Sequence, residues 1–144
     1  PLRLEEDRLA LVKGIKDGLI DVIVSDHLPE DEESKRLPFA QAATGAIGVE
    51  TLLPLSLEMY HNESLSLNKI IETLTINPAK ILKIKKGSLT KGSDGDICIF
   101  DLEAPWAVQA DTLKSKSKNT AIEGRKLQGK VLMTFLNGHL AFNQ

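Results

Sequence analysis

The stretch Val22-Ile23-Val24-Ser25-Asp26-His27-Leu28-Pro29 decides how this chain is interpreted. Its β-branched run predicts a short buried strand over Val22–Ser25, which ends in Asp-His shortly before a proline. Barrels of the α/β class carry catalytic and metal-binding groups at the carboxyl ends of their strands. Asp26 is therefore a candidate for such a group, and the alternative is a loop carboxylate without a role.

Composition and charge limit the classes of partner that the chain can have. Its 144 residues are 42% hydrophobic and 26% charged, as in ordinary globular proteins. The formal net charge of -2 provides no basic field for nucleic acid or anionic lipid. No apolar run approaches the roughly 20 residues of a membrane span. We therefore expect neither nucleic acid nor a membrane among its partners.

The first residues and the cysteine content give two further expectations. The chain begins at Pro1 and leads at once into a helical pattern, so we expect a piece of a longer polypeptide. The single cysteine, Cys98, has no intramolecular disulfide partner, which favours a reducing compartment such as the cytoplasm. We expect this thiol to be buried in the apolar stretch around it.

The first part of the chain reads as helices around one strand. Apolar spacing over Glu5–Lys16, with acids in the first turn and Gly18 after the last, predicts a helix. With the strand Val22–Ser25 it forms the αβ half of an α/β repeat. A polar, acid-rich loop is predicted over His27–Leu37, then a stretch of small residues over Phe39–Gly48. Further helices are predicted over 49–60, 67–74 and 79–82, with Ser66 and Asn77 as N-caps and Pro78 at the first helical position.

Beyond Ile84 the pattern changes to short strands and turns. Strands are predicted over Ile97–Phe100, Val131–Leu136 and Leu140–Phe142, and Asn137-Gly138 is typical of a hairpin turn. The basic segment Lys114–Lys118 is expected to be exposed. A boundary near residue 85 therefore separates an α/β portion from a small β portion.

The histidines contribute little to a metal site around Asp26. A carboxylate at a strand end can bind a metal or act as a general base. His27 follows Asp26 directly, so in a strand its side chain points to the opposite face, and we expect a structural hydrogen bond for it. His61 and His139 have no ligand spacing with another histidine, so we interpret both as non-ligands. A complete metal site cannot be assembled from this chain.

Seven short motifs carry a resemblance to a known family. They are Pro1-Leu2-Arg3, Ser25–Pro29, Lys35–Ala40, Gly45–Thr51, Asn77-Pro78-Ala79, Gly92–Asp96 and Ser115–Thr120. Together they resemble the dihydroorotases of the cyclic amidohydrolase superfamily, as the C-terminal portion of the longer bacterial type. The Asp-His-x-Pro motif is shared with hydantoinases and allantoinases, whereas Lys35–Phe39 and Ser117–Thr120 narrow the resemblance to dihydroorotases.

The resemblance implies a fold and a reaction. Residues 1–84 would be the last part of a metal-dependent (β/α)8 TIM-like barrel, with Val22–Ser25 as its last strand. Residues 85–144 would be the C-terminal strands of a small β-sandwich. The implied reaction is the reversible cyclisation of N-carbamoyl-L-aspartate to L-dihydroorotate in de novo pyrimidine biosynthesis, with one or two zinc ions. Asp26 would be a zinc ligand and the catalytic proton carrier, and the backbone of Phe39 and Ala40 would contact substrate.

Two departures from the family pattern keep alternatives open. Glu30 stands where the family has a histidine that binds the substrate carboxylate, and an acid would repel that group. Either Lys35 or Arg36 supplies the positive charge, or substrate binding is weakened. Ala40 replaces a glycine, which is a milder change. The alternatives are an inactive structural partner of aspartate transcarbamoylase, or another cyclic amidohydrolase such as an allantoinase or a hydantoinase.

The remaining metal ligands would lie upstream of Pro1, so the resemblance implies that this fragment alone is inactive. The expected partners are a small-molecule substrate, the missing N-terminal part of the same polypeptide and further copies of the protein in a homo-oligomer. An open barrel edge is apolar and unpaired. We therefore expect residues 1–84 alone to self-associate or to pair with the missing part.

Overall fold

A helical first half and a β-rich second half make up the computed structural model, which describes residues 4–144. The helices are α1 (Glu5–Lys16), α2 (Glu32–Arg36), α3 (Leu52–His61), α4 (Leu67–Leu74) and α5 (Ile76–Ile81). The strands are β1 (Ile97–Ala107), β2 (Lys126–Leu136) and β3 (His139–Asn143). The motif Pro1-Leu2-Arg3 lies outside the described residues. Within those residues, no helix is long and apolar enough to cross a membrane.

Helices α1 and α4 follow their sequence patterns. Helix α1 spans the predicted residues, with acids in its first turn, lysines in its last, and Gly18 beyond it at φ +75°. Helix α4 also has its predicted bounds, and the Ser66 hydroxyl accepts a hydrogen bond from the Lys69 amide at 3.3 Å. Ile15 of α1 and Ile70 of α4 are buried against Leu65 in one core cluster. Local signals therefore predict both helices, and the two helices contribute to the same core cluster.

The predicted strand Val22–Ser25 does not form a strand in residues 4–144. A strand is defined by hydrogen bonds to a neighbour, and this segment makes few: the Ile23 amide donates to Thr73 O at 3.2 Å. Immediately after it, His27 forms an isolated parallel bridge with Ala46. Val24 is 72% exposed. The β-branched residues set an extended preference, but a ladder also needs a partner that the described residues do not supply.

Three helix predictions need correction. The loop predicted over His27–Leu37 contains α2, capped by the Asp31 carboxylate, which accepts from the Ser34 amide at 2.8 Å. This hydrogen bond lowers the pKa of Asp31. Helix α3 starts at Leu52 rather than at 49. Asn77 is not an N-cap, because α5 begins at Ile76. The side-chain Nδ2 of Asn77 instead donates a hydrogen bond to Asp21 O at 3.0 Å.

The strands form one antiparallel sheet in the order β1-β2-β3. Strands β1 and β2 are longer than predicted. Their pairing begins with Ile97 opposite Phe135 and ends with Ala107 opposite Lys126, with shifts of register in between. Asn137 and Gly138 both have positive φ, as the predicted two-residue hairpin turn requires. A sandwich needs a second sheet, which residues 4–144 do not contain, so the sandwich stays a prediction, as does the division near residue 85.

One core cluster joins the two halves of the chain. Ile47 is buried with Val108, Leu113 and Leu127 from the second half. Leu57 of α3 is 0% exposed, and a β carbon at Gly129 of β2 would lie 2.5 Å from its Cδ1. Helix α3 therefore packs tightly on β2.

The prediction that Cys98 is buried is wrong. Cys98 is exposed in β1. Partial desolvation still raises the pKa of its thiol, while a hydrogen bond with Thr134 opposes that rise. The neighbouring Ile97 and Ile99 are exposed as well, so the apolar composition of this end of β1 does not lead to burial in the described residues.

Candidate functional site

Asp26 lies at a cleft of about 450 Å³ in an unusual backbone conformation. Its φ is +45°, in the left-handed region that few non-glycine residues adopt. The side chain is exposed at the mouth of the cleft. Strained residues of this kind persist where the surrounding structure fixes them, and they cluster at functional sites.

Two segments of the chain line the cleft and contact each other, and we call them its two walls. Residues 23–26 form one wall and residues 45–48 form the other. The Leu28 amide donates to Ala46 O at 3.0 Å beside the His27–Ala46 bridge. A β carbon at Gly48 would lie 2.7 Å from Ser25 O, so only glycine allows this approach. The floor is apolar and comes mainly from α3, with these side chains lining it: Leu52, Leu55, Met59 and Ile122.

His27 makes the structural hydrogen bonds expected of it. Its Nδ1 accepts from the Gly48 amide at 3.0 Å and from the Val49 amide at 3.3 Å. An acceptor at Nδ1 requires that the ring proton sit on Nε2. The residue after Asp26 therefore contacts the opposite wall of the cleft directly.

Glu30 lines a second cleft, of about 570 Å³, rather than the cleft of Asp26. The sequence offered Lys35 or Arg36 as a compensating charge. The Lys35 ammonium donates to Ala43 O at 2.7 Å and to Gly45 O at 2.9 Å, and Arg36 pairs with Glu32. Both cations thus have other partners, although Lys116 and Lys118 also line this cleft.

Phe39 and Ala40 lie on an exposed turn beyond α2. The Gln41 amide donates to Pro38 O at 2.7 Å, which closes the turn. Phe39 is 99% exposed, and neither Phe39 nor Ala40 lines the clefts of Asp26 and Glu30. Their substrate contacts, like the roles of Asp26 and Glu30, stay predictions.

Within residues 4–144, the candidate metal ligand at the cleft is the carboxylate of Asp26. No group of three or more His, Cys, Asp or Glu in this part of the chain is placed to hold an ion. Asp26 offers carboxylate oxygens at an open cleft, a ligand type that zinc accepts. His61 ends α3, where its Nε2 is buried without a hydrogen-bond partner in the described structure, and His139 begins β3. The role of Asp26 as a metal ligand stays a prediction, and a metal bound there would need further ligands from outside residues 4–144.

A segment of the second half, residues 113–120, fastens the walls of the site, and sequence reasoning did not find this role. We refer to it as the strap. The Glu50 carboxylate accepts from the amides of Lys114 and Ser115 at 2.9 and 3.0 Å. The Asn119 amide group donates to Gly45 O at 3.0 Å, and the Ser117 hydroxyl donates to Glu30 O at 2.7 Å.

The Ser115–Thr120 motif was the only sequence signal of the strap, and it carried no information about these contacts. The prediction that Lys114–Lys118 is exposed holds for its lysines, whereas Ser115 and Ser117 are half-buried.

Comparison with known proteins gives one family. A profile described as "Amidohydrolase family" matches residues 2–141. The dihydroorotase of Anaplasma phagocytophilum (strain HZ) is 46% identical over 142 residues, which cover 99% of this chain and 32% of that protein. The dihydroorotase of Aquifex aeolicus (strain VF5) is 44% identical over 99% of this chain and 33% of its own length. The resemblance to dihydroorotases is therefore confirmed, and the chain spans about a third of the length of these relatives.

Solved structures agree on the fold and differ in the names they carry. A D-hydantoinase superposes with a TM-score of 0.90 at 25% identity, over 100% of this chain and 33% of its own. The L-hydantoinase (dihydropyrimidinase) from Arthrobacter aurescens has a TM-score of 0.90 at 32% identity, over 99% of this chain and 33% of its own. The partial α/β architecture of residues 4–144 is thus that of a third of a cyclic-amide hydrolase.

Proposed function

The chain belongs to the amidohydrolase family, and we propose that it supplies the C-terminal third of a dihydroorotase. The carrying observation is Asp26, a carboxylate held in a strained conformation at the end of an extended segment and at the mouth of a cleft. The relatives most similar in sequence carry the dihydroorotase name at 44–46% identity. The proposed reaction is the reversible cyclisation of N-carbamoyl-L-aspartate to L-dihydroorotate, in the cytoplasm and in pyrimidine synthesis.

Asp26 is proposed to carry the proton in this reaction. In the hydrolytic direction, water adds to the ring amide carbon, the C–N bond breaks, and a proton from water reaches the released nitrogen. A carboxylate can accept the first proton and return it to the nitrogen. Zinc, when bound, would polarise the amide and activate water, and Asp26 would be its one ligand from this chain.

The upstream part of the same polypeptide is the proposed partner of the Asp26 segment. In the proposed barrel, a neighbouring strand would pair with Val22–Ser25 and cover Val24, and β1–β3 would join a sandwich. The upstream part would also supply the remaining zinc ligands. The chain alone is therefore proposed to be inactive, and the complete protein to assemble as a homo-oligomer.

A second candidate is a hydantoinase. It is supported by the 32% identity to the L-hydantoinase from Arthrobacter aurescens over almost the whole chain. The sequence departure at Glu30 motivates this candidate and also an inactive partner of aspartate transcarbamoylase, although Glu30 lines the second cleft rather than the cleft of Asp26.

The test uses the full-length, zinc-loaded protein with L-dihydroorotate and with hydantoin. We expect turnover of dihydroorotate, and a loss of about 10²–10⁴-fold in kcat for Asp26→Asn. Asp21→Asn is the matched control, because Asp21 is also exposed and lies five residues upstream. Absence of dihydroorotate turnover with zinc bound would refute the proposal. Hydantoin turnover would then favour the second candidate, and a stable complex with aspartate transcarbamoylase the inactive partner.

A further inference from the structure

We propose that His27 is a positioning residue that holds Asp26 against the opposite wall of the cleft. The inference deepens the proposed function and rests on it in so far as Asp26 is the reactive carboxylate. Three observations carry it: the strain at Asp26, the shared acceptor Nδ1, and the close approach of the two walls.

Asp26 needs an external constraint to keep its conformation. Its φ of +45° lies in the left-handed region, which Asp adopts more readily than most residues but still only occasionally. An exposed side chain at the mouth of a cleft cannot supply that constraint. The constraint must therefore come from the residues that follow Asp26 and from what they contact.

His27 is the side chain that makes this contact. One nitrogen, Nδ1, accepts the amides of both Gly48 and Val49, at 3.0 and 3.3 Å. The backbone beside it adds the His27–Ala46 bridge and the hydrogen bond from the Leu28 amide to Ala46 O. The two residues after Asp26 are thus joined to the other wall at several points, and the two side-chain hydrogen bonds among these contacts both use His27 Nδ1.

The fit between the walls leaves little room for adjustment. A β carbon at Gly48 would meet Ser25 O at 2.7 Å, on the other side of Asp26 from His27. Asp26 therefore lies between a steric contact at Ser25 and a hydrogen-bonded contact at His27. Loss of the Nδ1 acceptor would free the second contact while the first remains.

Two substitutions separate positioning from general stability. His27→Leu removes the acceptor, whereas His27→Asn keeps one, because Oδ1 of asparagine occupies nearly the place of Nδ1. His139→Leu is the matched control, since His139 is exposed in β3, away from the residues that line the cleft. All three are measured in the full-length protein, by hydrogen–deuterium exchange, by zinc affinity and by kinetics with dihydroorotate.

We expect His27→Leu to accelerate exchange in the peptide that spans residues 45–50. We also expect it to lower zinc affinity or kcat about 10- to 100-fold, with KM little changed. His27→Asn should restore most of each loss, and His139→Leu should match the wild type. The proposal would be overturned if His27→Leu left exchange unchanged, or if it accelerated exchange without altering kcat or zinc affinity. It would also be overturned if His27→Asn were as defective as His27→Leu. If the wild type has no dihydroorotate turnover, the proposed function fails by itself, and exchange and zinc affinity still decide the role of His27.

Discussion

Replacing Gly45 by alanine tests how closely the two walls of the Asp26 cleft approach each other. Gly45 has a φ of +125°, and a β carbon there would lie 2.8 Å from Leu28 O and 2.9 Å from Leu28 Cδ2. The first contact is with backbone, which cannot rotate away. Both the conformation and the contact therefore oppose a side chain.

The magnitude follows from adding two separate costs. A residue with a β carbon in a sparsely populated backbone region costs about 1–3 kcal/mol. Forcing an extra carbon into a packed site costs about 1–3 kcal/mol more. Gly45→Ala should therefore lower the free energy of unfolding by about 2–6 kcal/mol.

Gly124→Ala isolates the first cost. Gly124 also has a positive φ, +75°, but no atom lies within 4 Å of the place its β carbon would take. This variant should lose only the conformational cost, about 1–3 kcal/mol. The difference between the two variants, about 1–3 kcal/mol, is the steric contribution of the wall contact.

The assay is urea unfolding of the full-length variants followed by circular dichroism, with the slope m compared to confirm the same transition. Exchange measurements over residues 26–48 then locate the change. A Gly45→Ala variant whose stability equals that of Gly124→Ala would refute the reasoning, because it would show that Leu28 and Gly45 separate without cost.

Two further predictions concern the packing of α3 and the pH dependence of the β half. Leu57→Ala should lower the free energy of unfolding by about 2–5 kcal/mol, because Leu57 is 0% exposed. Leu89→Ala should change this free energy little, because Leu89 is 80% exposed. Equal urea midpoints for the two variants would contradict this prediction. The hydrogen bond from the Asn137 amide, and next the one from the Lys86 ammonium, lower the pKa of Asp96 below its usual 3.8. The ionised Asp96 carboxylate therefore stabilises the folded protein above pH 3.8, and this stabilisation is lost as the pH falls through the lowered pKa. Asp96→Asn should thus be less stable than the wild type at neutral pH, and the gap in urea midpoint should close in acid; a gap that persists there would contradict the assignment.

The elements that the sequence predicts correctly depend on residues close together in the chain. Helix α1 follows from its apolar spacing and terminal charges, α4 from the Ser66 cap, and the β2–β3 hairpin from Asn137-Gly138. In each case the residues that signal the element are also the residues that form it. No distant contact is needed to complete it.

The elements that the sequence misses depend on distant partners or on weak patterns. Val22–Ser25 needs a neighbouring strand, and Asn77 forgoes a cap to reach Asp21, 56 residues away. Helix α2 has no apolar face, so only the Asp31 cap marked it. Cys98 shows that an apolar stretch does not tell which of its faces is covered.

The candidate site, too, has features that the sequence predicts and features that it does not. The position of Asp26 could be predicted, because the rule about strand ends needs only the local sequence. What holds Asp26 in place could not, since His27 reaches 21 and 22 residues along the chain, and the strap reaches 64 to 87 residues back. A motif therefore locates the proposed reactive group, whereas the contacts around it are made with distant residues that the sequence does not identify as partners.

The strap gives the β half a direct influence on the cleft. Asn119 and Lys35 both donate to Gly45 O, so a carbonyl beside the cleft is held from the second half and from α2 at once. Gly45 also lies close to Leu28, two residues after Asp26, because a β carbon at Gly45 would lie 2.8 Å from Leu28 O. The strap is therefore hydrogen-bonded, through the Asn119 side chain, to a residue that adjoins the segment after Asp26. The surroundings of Asp26 consequently include residues of both halves of the chain, although only the first half carries the Asp-His-x-Pro motif.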